Sequence, residues 1–370
     1  MLVSNSYVSN YIYVDNKRYS LFGGNNYLGL ANNPLLKKAA ISSIKKYGLN
    51  FAAARQTTGT SEIHTELENL LAGFKHKDDS VVFASGYMGN RILLSALKGQ
   101  YSAVYMDEYS HSSIHDGIPS DISKVFCYNH CDTVHLESLL KKNKKQRSLI
   151  ITDGIFSLTG EIAPLDKIHS LAELHDAIIV IDDAHATGVL GKNGRGTPEY
   201  FNLESASNIY QSETMSKALG AYGGFISAGE EIINTIRGKS SIYLASTSLP
   251  PPIVSAASAS IRIIMDQPDL RIMLHENLKK IIEGVKNLNF HTCSEHTPII
   301  PLQFNSRQNA EKLFEFLKIN GIIVPFITYP GNINSFILRI TVSSLHTTDQ
   351  IEDLMALLEK WRRKHGSDKD

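Results

Sequence analysis

The chain predicts an α/β protein: a large domain with a mostly parallel sheet flanked by helices, and a smaller α+β domain at its C-terminal end. Three observations carry that expectation. Short apolar segments alternate with helical patterns through most of the chain, the rhythm of a doubly wound sheet. One segment, Ile178-Ile179-Val180-Ile181, is apolar, β-branched and closed by Asp182 and Asp183, as a strand buried on both faces would be. Several strand ends carry Asp, His or Ser, which gathers polar groups along the edge where open α/β sheets place their ligands.

Taken in order, Tyr19 to Leu30 holds a turn at Gly23-Gly24-Asn25-Asn26, and Pro34 starts a helix through about Tyr47. Thr60 or Ser61 can cap the next helix, whose buried stripe is Leu67, Leu70, Leu71 and Phe74. Ser80 to Ser85 reads as a strand, and Gly86-Tyr87-Met88-Gly89-Asn90 opens the helix after it. Strands follow at Ala103–Met106, Lys124–Tyr128 and Leu149–Thr152, with helices from about Val134 and over Leu165–His175. FISA follows Gly224, and a helical stretch lies near Glu230 to Arg237. Pro250-Pro251-Pro252 mark the expected boundary, which divides the chain into an N-terminal segment 1–34, a large domain 35–250 and a small domain 251–370. The last part reads as two long helices to about Leu288, strands near Ile299–Phe304, Ile322–Phe326 and Phe336–Val342, a helix from Lys312 and a final helix Asp349–Lys364.

Composition narrows the function classes. Of 370 residues 42% are hydrophobic and 20% charged, an ordinary globular balance that excludes a disordered chain. Lys plus Arg equals Asp plus Glu at 37 each, so no net field recruits nucleic acid or an anionic membrane. The polar, tyrosine-rich start lacks the layout of a signal peptide, and no apolar run reaches a membrane span. Three cysteines imply no disulfide framework and suit a reducing cytoplasm. Cys127, His130, Cys131 and His135 fall within a short stretch, but zinc needs a second ligand pair and none is convincing, so no metal is expected. Neither GxGxxG nor GxxxxGK occurs, which removes a nucleotide-binding reading of the glycine turns.

The chemistry concentrates between Ala177 and Gly224. Lys217 lies among small residues in Thr214-Met215-Ser216-Lys217-Ala218, and its sequence neighbourhood includes Asp182 and His185, so it is a candidate Schiff-base lysine. An aspartate such as Asp182 suits the pyridinium nitrogen of pyridoxal phosphate, because a fixed anion keeps that nitrogen protonated. The competing reading makes Asp182 a helix cap and Lys217 a surface lysine. The strand–Gly86–helix turn is a ready phosphate cradle, or a glycine kept for packing. Arg339, inside the apolar strand FILRITV, either points to solvent by alternation or aims its fork at a carboxylate.

With these residues assembled, the chain resembles the α-oxoamine synthases, a family of fold-type I pyridoxal phosphate-dependent transferases. The markers stand in the family's order: NNYLGL, GTSEIHTELE, ASGYMGN, HSSIHDG, DGIFSLTGEIAPL, VIDDAHATGVLGKNGRG, TMSKALGAYGG, STSLPP and RITVSSLH. The resemblance runs from about Asn25 to the end and implies roles. Lys217 would carry the cofactor and later remove the amino acid's α-proton. Asp182 would pair with the ring nitrogen, His111 would stack on the ring, and His185 and Ser157 would lie near its phenolic oxygen. Gly86, Tyr87 and Thr214 would hold the phosphate, joined by Ser246 and Thr247 from the second subunit of a homodimer with shared active sites. Asn25 and Arg339 would bind the amino acid, while His64 either serves the site or only supports its helix. The implied reaction is a decarboxylating condensation of a small amino acid with an acyl thioester on coenzyme A or acyl carrier protein. Departures from the family pattern are Ala52-Ala53-Ala54, where members often have glycines, and Ala186. An aminotransferase or lyase of the same fold, and a non-catalytic partner subunit, are the rival readings.

Overall fold

The computed structural model describes residues 3–144, 146–293, 296–327 and 336–365. It contains two compact units, one built from Asn33–Phe156 and Ile162–Asp266, the other from Met1–Asn32, Ser157–Glu161 and Gln267–Asp370.

The first unit is organised by a seven-stranded sheet. Its strands in chain order are β1 (Asp79–Phe83), β2 (Ala103–Asp107), β3 (Val125–Tyr128), β4 (Ser148–Asp153), β5 (Ile178–Asp182), β6 (Ile209–Thr214) and β7 (Gly224–Ala228). In space they run β1-β7-β6-β5-β4-β2-β3. The pairs from β6 to β3 are parallel, and β7 is antiparallel to both β1 and β6. The apolar runs explain why these strands sit inside. Val104, Met106, Leu149, Ile151 and Val180 pack into one core, whereas Tyr105, Ile150, Ile179 and Ile181 pack into another. Successive residues of one strand thus feed opposite faces, and both faces are covered.

The parallel register has one consequence for the site. Because β2, β4, β5 and β6 point the same way, their last residues, Asp107, Asp153, Asp182 and Thr214, meet at one edge of the sheet. Helix starts follow local chemistry. Asn33 accepts from the Leu35 N–H at 2.8 Å and Pro34 fills the first position of the helix Pro34–Tyr47. Ser61 precedes the helix Glu62–Lys75 without capping it through its side chain; its hydroxyl meets His64 Nδ1 at 2.9 Å instead.

The unit boundaries depart from the sequence expectation at both ends. Pro251 and Pro252 open a helix, Pro251–Asp266, that packs on Pro34–Tyr47 within the large unit. A proline at the first turn gives up an N–H that has no helical partner there, so these prolines start an element and do not close the domain. The break falls after Asp266.

The N-terminal segment likewise belongs to the second unit. Tyr11–Val14 and Lys17–Leu21 form a hairpin through Asp15 and Asn16, with φ of 50° and 60°. Lys17–Leu21 also pairs in parallel with Ile322–Ile323. A second sheet joins Ile299–Phe304, Phe336–Thr341 and Phe326–Ile327. The helices are Asp269–Asn287, Arg307–Ile319 and Thr348–His365. Arg307–Ile319 begins five residues before the expected Lys312 because Ser306 accepts from the Asn309 N–H and caps it there. Among the described residues no helix is long and apolar enough to cross a membrane.

Candidate active site

The polar strand ends open into a cavity of about 190 Å³. Its lining includes Gly86, Tyr87, His111, Asp153, Asp182, His185, Thr214 and Lys217. Residues from five separate stretches of sequence therefore converge on one place.

Asp182 forms the floor. Only 7% exposed, its Oδ2 accepts from Asn90 Nδ2 at 2.7 Å and from the Ser113 hydroxyl at 3.3 Å, and its Oδ1 accepts from the Ala184 N–H at 3.2 Å. These donors hold an anion in place, so Asp182 is not spent on a helix cap. Its neighbour Asp183 faces the other way, fully buried, and accepts from the Thr197 N–H at 3.0 Å and Gln211 Nε2 at 2.7 Å. Burial pushes the Asp183 carboxyl up, against the opposing Lys75 charge and these hydrogen bonds. Strand alternation thus separates two adjacent aspartates into one for the cavity and one for the scaffold.

His111 caps the helix Ser112–Gly117, its Nδ1 accepting from the Ser113 N–H at 3.2 Å. Its backbone N–H donates to Asp153 Oδ2 at 2.9 Å, which anchors the loop after β2 to the end of β4. Burial, helped by the Lys217 charge and opposed by Asp182, holds the imidazole below its ordinary pKa. Tyr87 meets the ring edge-on with centroids 5.9 Å apart.

The cradle lies at the start of the 3₁₀ turn Gly86–Met88. Ser85 caps that turn by accepting from the Tyr87 N–H at 3.3 Å. A Cβ on Gly86 would lie 2.7 Å from both Cβ and Oγ1 of Thr214, so only glycine lets the turn sit against β6. Thr214 Oγ1 in turn donates to the Gly223 carbonyl at 3.0 Å, tying β6 to the turn that carries Lys217. The donor set fits a flat, phosphorylated heteroaromatic group: an anion for a ring nitrogen, an imidazole ring for its face, backbone amides for an anionic end, and a primary amine.

Other expected residues lie elsewhere. Ser246 donates to the Ile242 carbonyl at 2.5 Å and Thr247 bridges to Ala54, and neither lines this cavity. His64 is fully buried between Ser61 and the Leu249 carbonyl, where burial and the Arg55 charge lower its pKa to about 4. Ser157, Asn25 and Arg339 belong to the second unit. There Arg339 is only 9% exposed, which removes the solvent-facing reading, and it donates to Asn25 Oδ1 at 3.1 Å. Its Nε is buried with no hydrogen-bond partner among the described residues. Of the cysteine–histidine stretch, His130 and Cys131 come together with Asp107, whereas His135 accepts from the Asn129 N–H. His130 Nδ1 stands 2.9 Å from Asp107 Oδ1, and the same carboxylate takes the Cys131 N–H, so this group closes a strand-to-helix connection.

Two cavity residues and one directly behind the cavity were not legible as functional. Asn90, Ser113 and Asp153 stand inside the sequence markers, yet only the fold reveals that the first two hold Asp182 and the third holds His111.

The aminotransferase class I and II family matches residues 18–358 of this chain. Among curated relatives, an 8-amino-7-oxononanoate synthase of Thermoanaerobacter pseudethanolicus is 38% identical over 94% of this chain and 88% of its own length. One of Lysinibacillus sphaericus is 36% identical over 96% and 92%. Among solved structures, a serine palmitoyltransferase from S. paucimobilis with bound PLP–myriocin is 28% identical, with a TM-score of 0.92 over 98% of this chain and 92% of that one. An 8-amino-7-oxononanoate synthase from Francisella tularensis is also 28% identical, with a TM-score of 0.81 over 93% and 98%.

Proposed function

The chain belongs to the aminotransferase class I and II family, in its α-oxoamine synthase branch, and from that premise we propose that it is a pyridoxal phosphate-dependent acyltransferase condensing L-alanine with a pimeloyl thioester. That is the 8-amino-7-oxononanoate synthase reaction, a step of biotin synthesis. The observation that carries the reading is the single cavity lined by Asp182, His111, His185 and Lys217 beside the Gly86–Tyr87 turn. The relatives' names supply the product, 8-amino-7-oxononanoate, and the resemblance to the family supplies the substrates.

The bound cofactor would supply an electron sink for bond breaking at the amino acid's Cα. The chain's residues do the rest. The Lys217 amine would hold the cofactor and serve as the base that takes the proton from Cα. Asp182, held in place by the Asn90 amide, the Ser113 hydroxyl and the Ala184 N–H, would pair with the ring nitrogen. His111 would cover one ring face, and His185 and Ser157 would lie near the phenolic oxygen. The Gly86 and Tyr87 amides would take the phosphate, joined by the Thr214 hydroxyl once it turns from the Gly223 carbonyl, with Ser246 and Thr247 reaching it from the second copy of a homodimer. Arg339, with Asn25 beside it, would take the amino acid carboxylate in its fork and so orient the bonds at Cα. A cytoplasmic location suits such an enzyme.

A second reading, serine palmitoyltransferase, is favoured by the likeness in fold at a TM-score of 0.92. A glycine–acetyl-CoA ligase shares the same frame. The experiment is product analysis by mass spectrometry after incubating the cofactor-loaded chain with L-alanine and pimeloyl-CoA. The expected product is 8-amino-7-oxononanoate, and Lys217→Ala is expected to lose turnover by roughly 1,000-fold or more, the scale of a missing catalytic base and attachment point. Borohydride reduction should fix the cofactor to the Lys217 peptide of the wild type and to no peptide of the variant. Substrate turnover by Lys217→Ala at the wild-type rate would reject the reading.

A further inference from the structure

We propose that Asp153 and Asp182 share a single proton carried by Asp153, so that the cavity floor holds one carboxylate anion and one neutral acid. The geometry begins with the sheet. Asp153 ends β4 and Asp182 ends β5, and the two are direct partners in the parallel register. Register partners on neighbouring strands direct their side chains to the same face across about 4.8 Å of backbone spacing. Both carboxyls are buried, 3% and 7% exposed, and both line the same cavity. Two buried like charges in that position repel each other, which favours a proton on one of the two carboxyls.

Hydrogen bonding decides which partner keeps it. Asp182 has the Asn90 amide, the Ser113 hydroxyl and the Ala184 N–H as donors, all of which favour a carboxylate. Asp153 has the His111 N–H on Oδ2. The other charged groups facing Asp153 come from each neighbouring element: Asp107 at the end of β2, Asp182 at the end of β5, and Lys217 after β6. Burial and the Asp182 charge push the Asp153 carboxyl well above its ordinary range, with Asp107 adding to them; the His111 N–H and Lys217 act the other way. His185 lines the same cavity.

A neutral Asp153 has two consequences. It fixes the His111 loop through Oδ2 without presenting a second anion to the imidazole, so His111 stays uncharged. It also leaves Asp182 and Lys217 as the charge pair of the cavity, with no surplus anion to repel a phosphate-bearing ligand. Asp153 is thus a positioning residue, acting through His111 and Asp182. The second consequence rests on the proposed function, whereas the proton count does not.

Infrared difference spectroscopy on the full chain without cofactor, wild type minus Asp153→Asn at neutral pH, tests it. The buried Asp183 and Glu213 also have raised pKa values, and the subtraction removes their bands. The expected result is the carbonyl band of a protonated carboxylic acid, present in the wild type and missing from the variant. A difference showing only the paired stretches of a carboxylate would overturn the proposal. Should Asp153→Asn fail to fold, Asp182→Asn serves: with the opposing charge gone, the pH at which the acid band disappears should fall, and an unmoved midpoint contradicts the pair. The His111 titration followed by NMR adds a readout that a purely structural role would not predict. Asn in place of a neutral acid leaves the His111 pKa where it was, whereas a drop in the variant would mean that Asp153 had been an anion. None of these measurements uses an amino acid or a thioester, so they stand or fall separately from the condensation.

Discussion

Ala52 holds a left-handed backbone, φ 49°, in the stretch where family members often have glycine. An L-residue there is strained by about 1–2 kcal/mol, partly offset by the lower chain entropy of alanine when unfolded. Ala52→Gly should therefore raise stability by up to about 1 kcal/mol, read as a shifted urea midpoint with an unchanged slope. His346 makes a pH prediction. It stacks on Phe22 at 4.2 Å, accepts from the Ser343 N–H on Nδ1 and meets the Leu21 carbonyl through Nε2, so it must be neutral. Burial lowers its pKa to about 4, against the hydrogen bond to Leu21. A depressed histidine contributes stability above its unfolded pKa, near 6.5, that is lost as pH falls toward the folded value. Unfolding free energies should drop by about 3 kcal/mol on its account between those limits, and His346→Gln should flatten that limb. The legibility of single residues followed their sequence context. Asp182 closes an apolar run and Lys217 sits among small residues, so both announce themselves. Asn90, Ser113 and Asp153 acquire meaning only when the ends of β4 and β5, the loop after β2 and the helix after β1 meet.

At the scale of elements, β2, β4 and β5 were legible because each is an apolar run buried on both faces, whereas β6, IYQSET, is mostly polar and was not read as a strand. The N-terminal hairpin was not read, although Asp15-Asn16 between Val14 and Lys17 is the turn chemistry that two positive φ values require. Its strands, YIYV and KRYSL, are short and mostly half exposed, and neither alternates apolar with polar residues. The prolines at 250–252 were read as a break because a proline ends a helix and starts one with equal ease. Arg55 was legible only as an isolated charge. In the fold it forms a two-pronged pair with Glu68, at 2.9 and 2.8 Å, that ties the segment before the helix Glu62–Lys75 to the helix itself. Glu68 also accepts from the Val82 N–H at 3.1 Å and so reaches β1. Removing one member leaves the other charge buried and poorly compensated, so Arg55→Met should cost roughly 3–5 kcal/mol by chemical denaturation. An Arg55→Met, Glu68→Leu double variant should recover much of that loss.

For the whole molecule, the sequence and the fold bear on different claims. Nine ordered markers pointed to a family, and the fold brings Gly86, Tyr87, His111, Asp182, His185, Thr214 and Lys217 of the large unit into one cavity, while His64, Ser246 and Thr247 lie outside it. Substrate choice is a matter of the amino acid and the acyl chain, and the shared frame serves several pairs. The most direct measurement is thiol release by the cofactor-loaded chain, offered L-alanine, glycine or L-serine against pimeloyl-, acetyl- or palmitoyl-CoA. The account predicts release with L-alanine and pimeloyl-CoA above every other pair, and none with Lys217→Ala. Preferred release with L-serine and palmitoyl-CoA, or with glycine and acetyl-CoA, would contradict the assigned substrates. No release from any pair by a chain that has bound its cofactor would contradict the condensation itself.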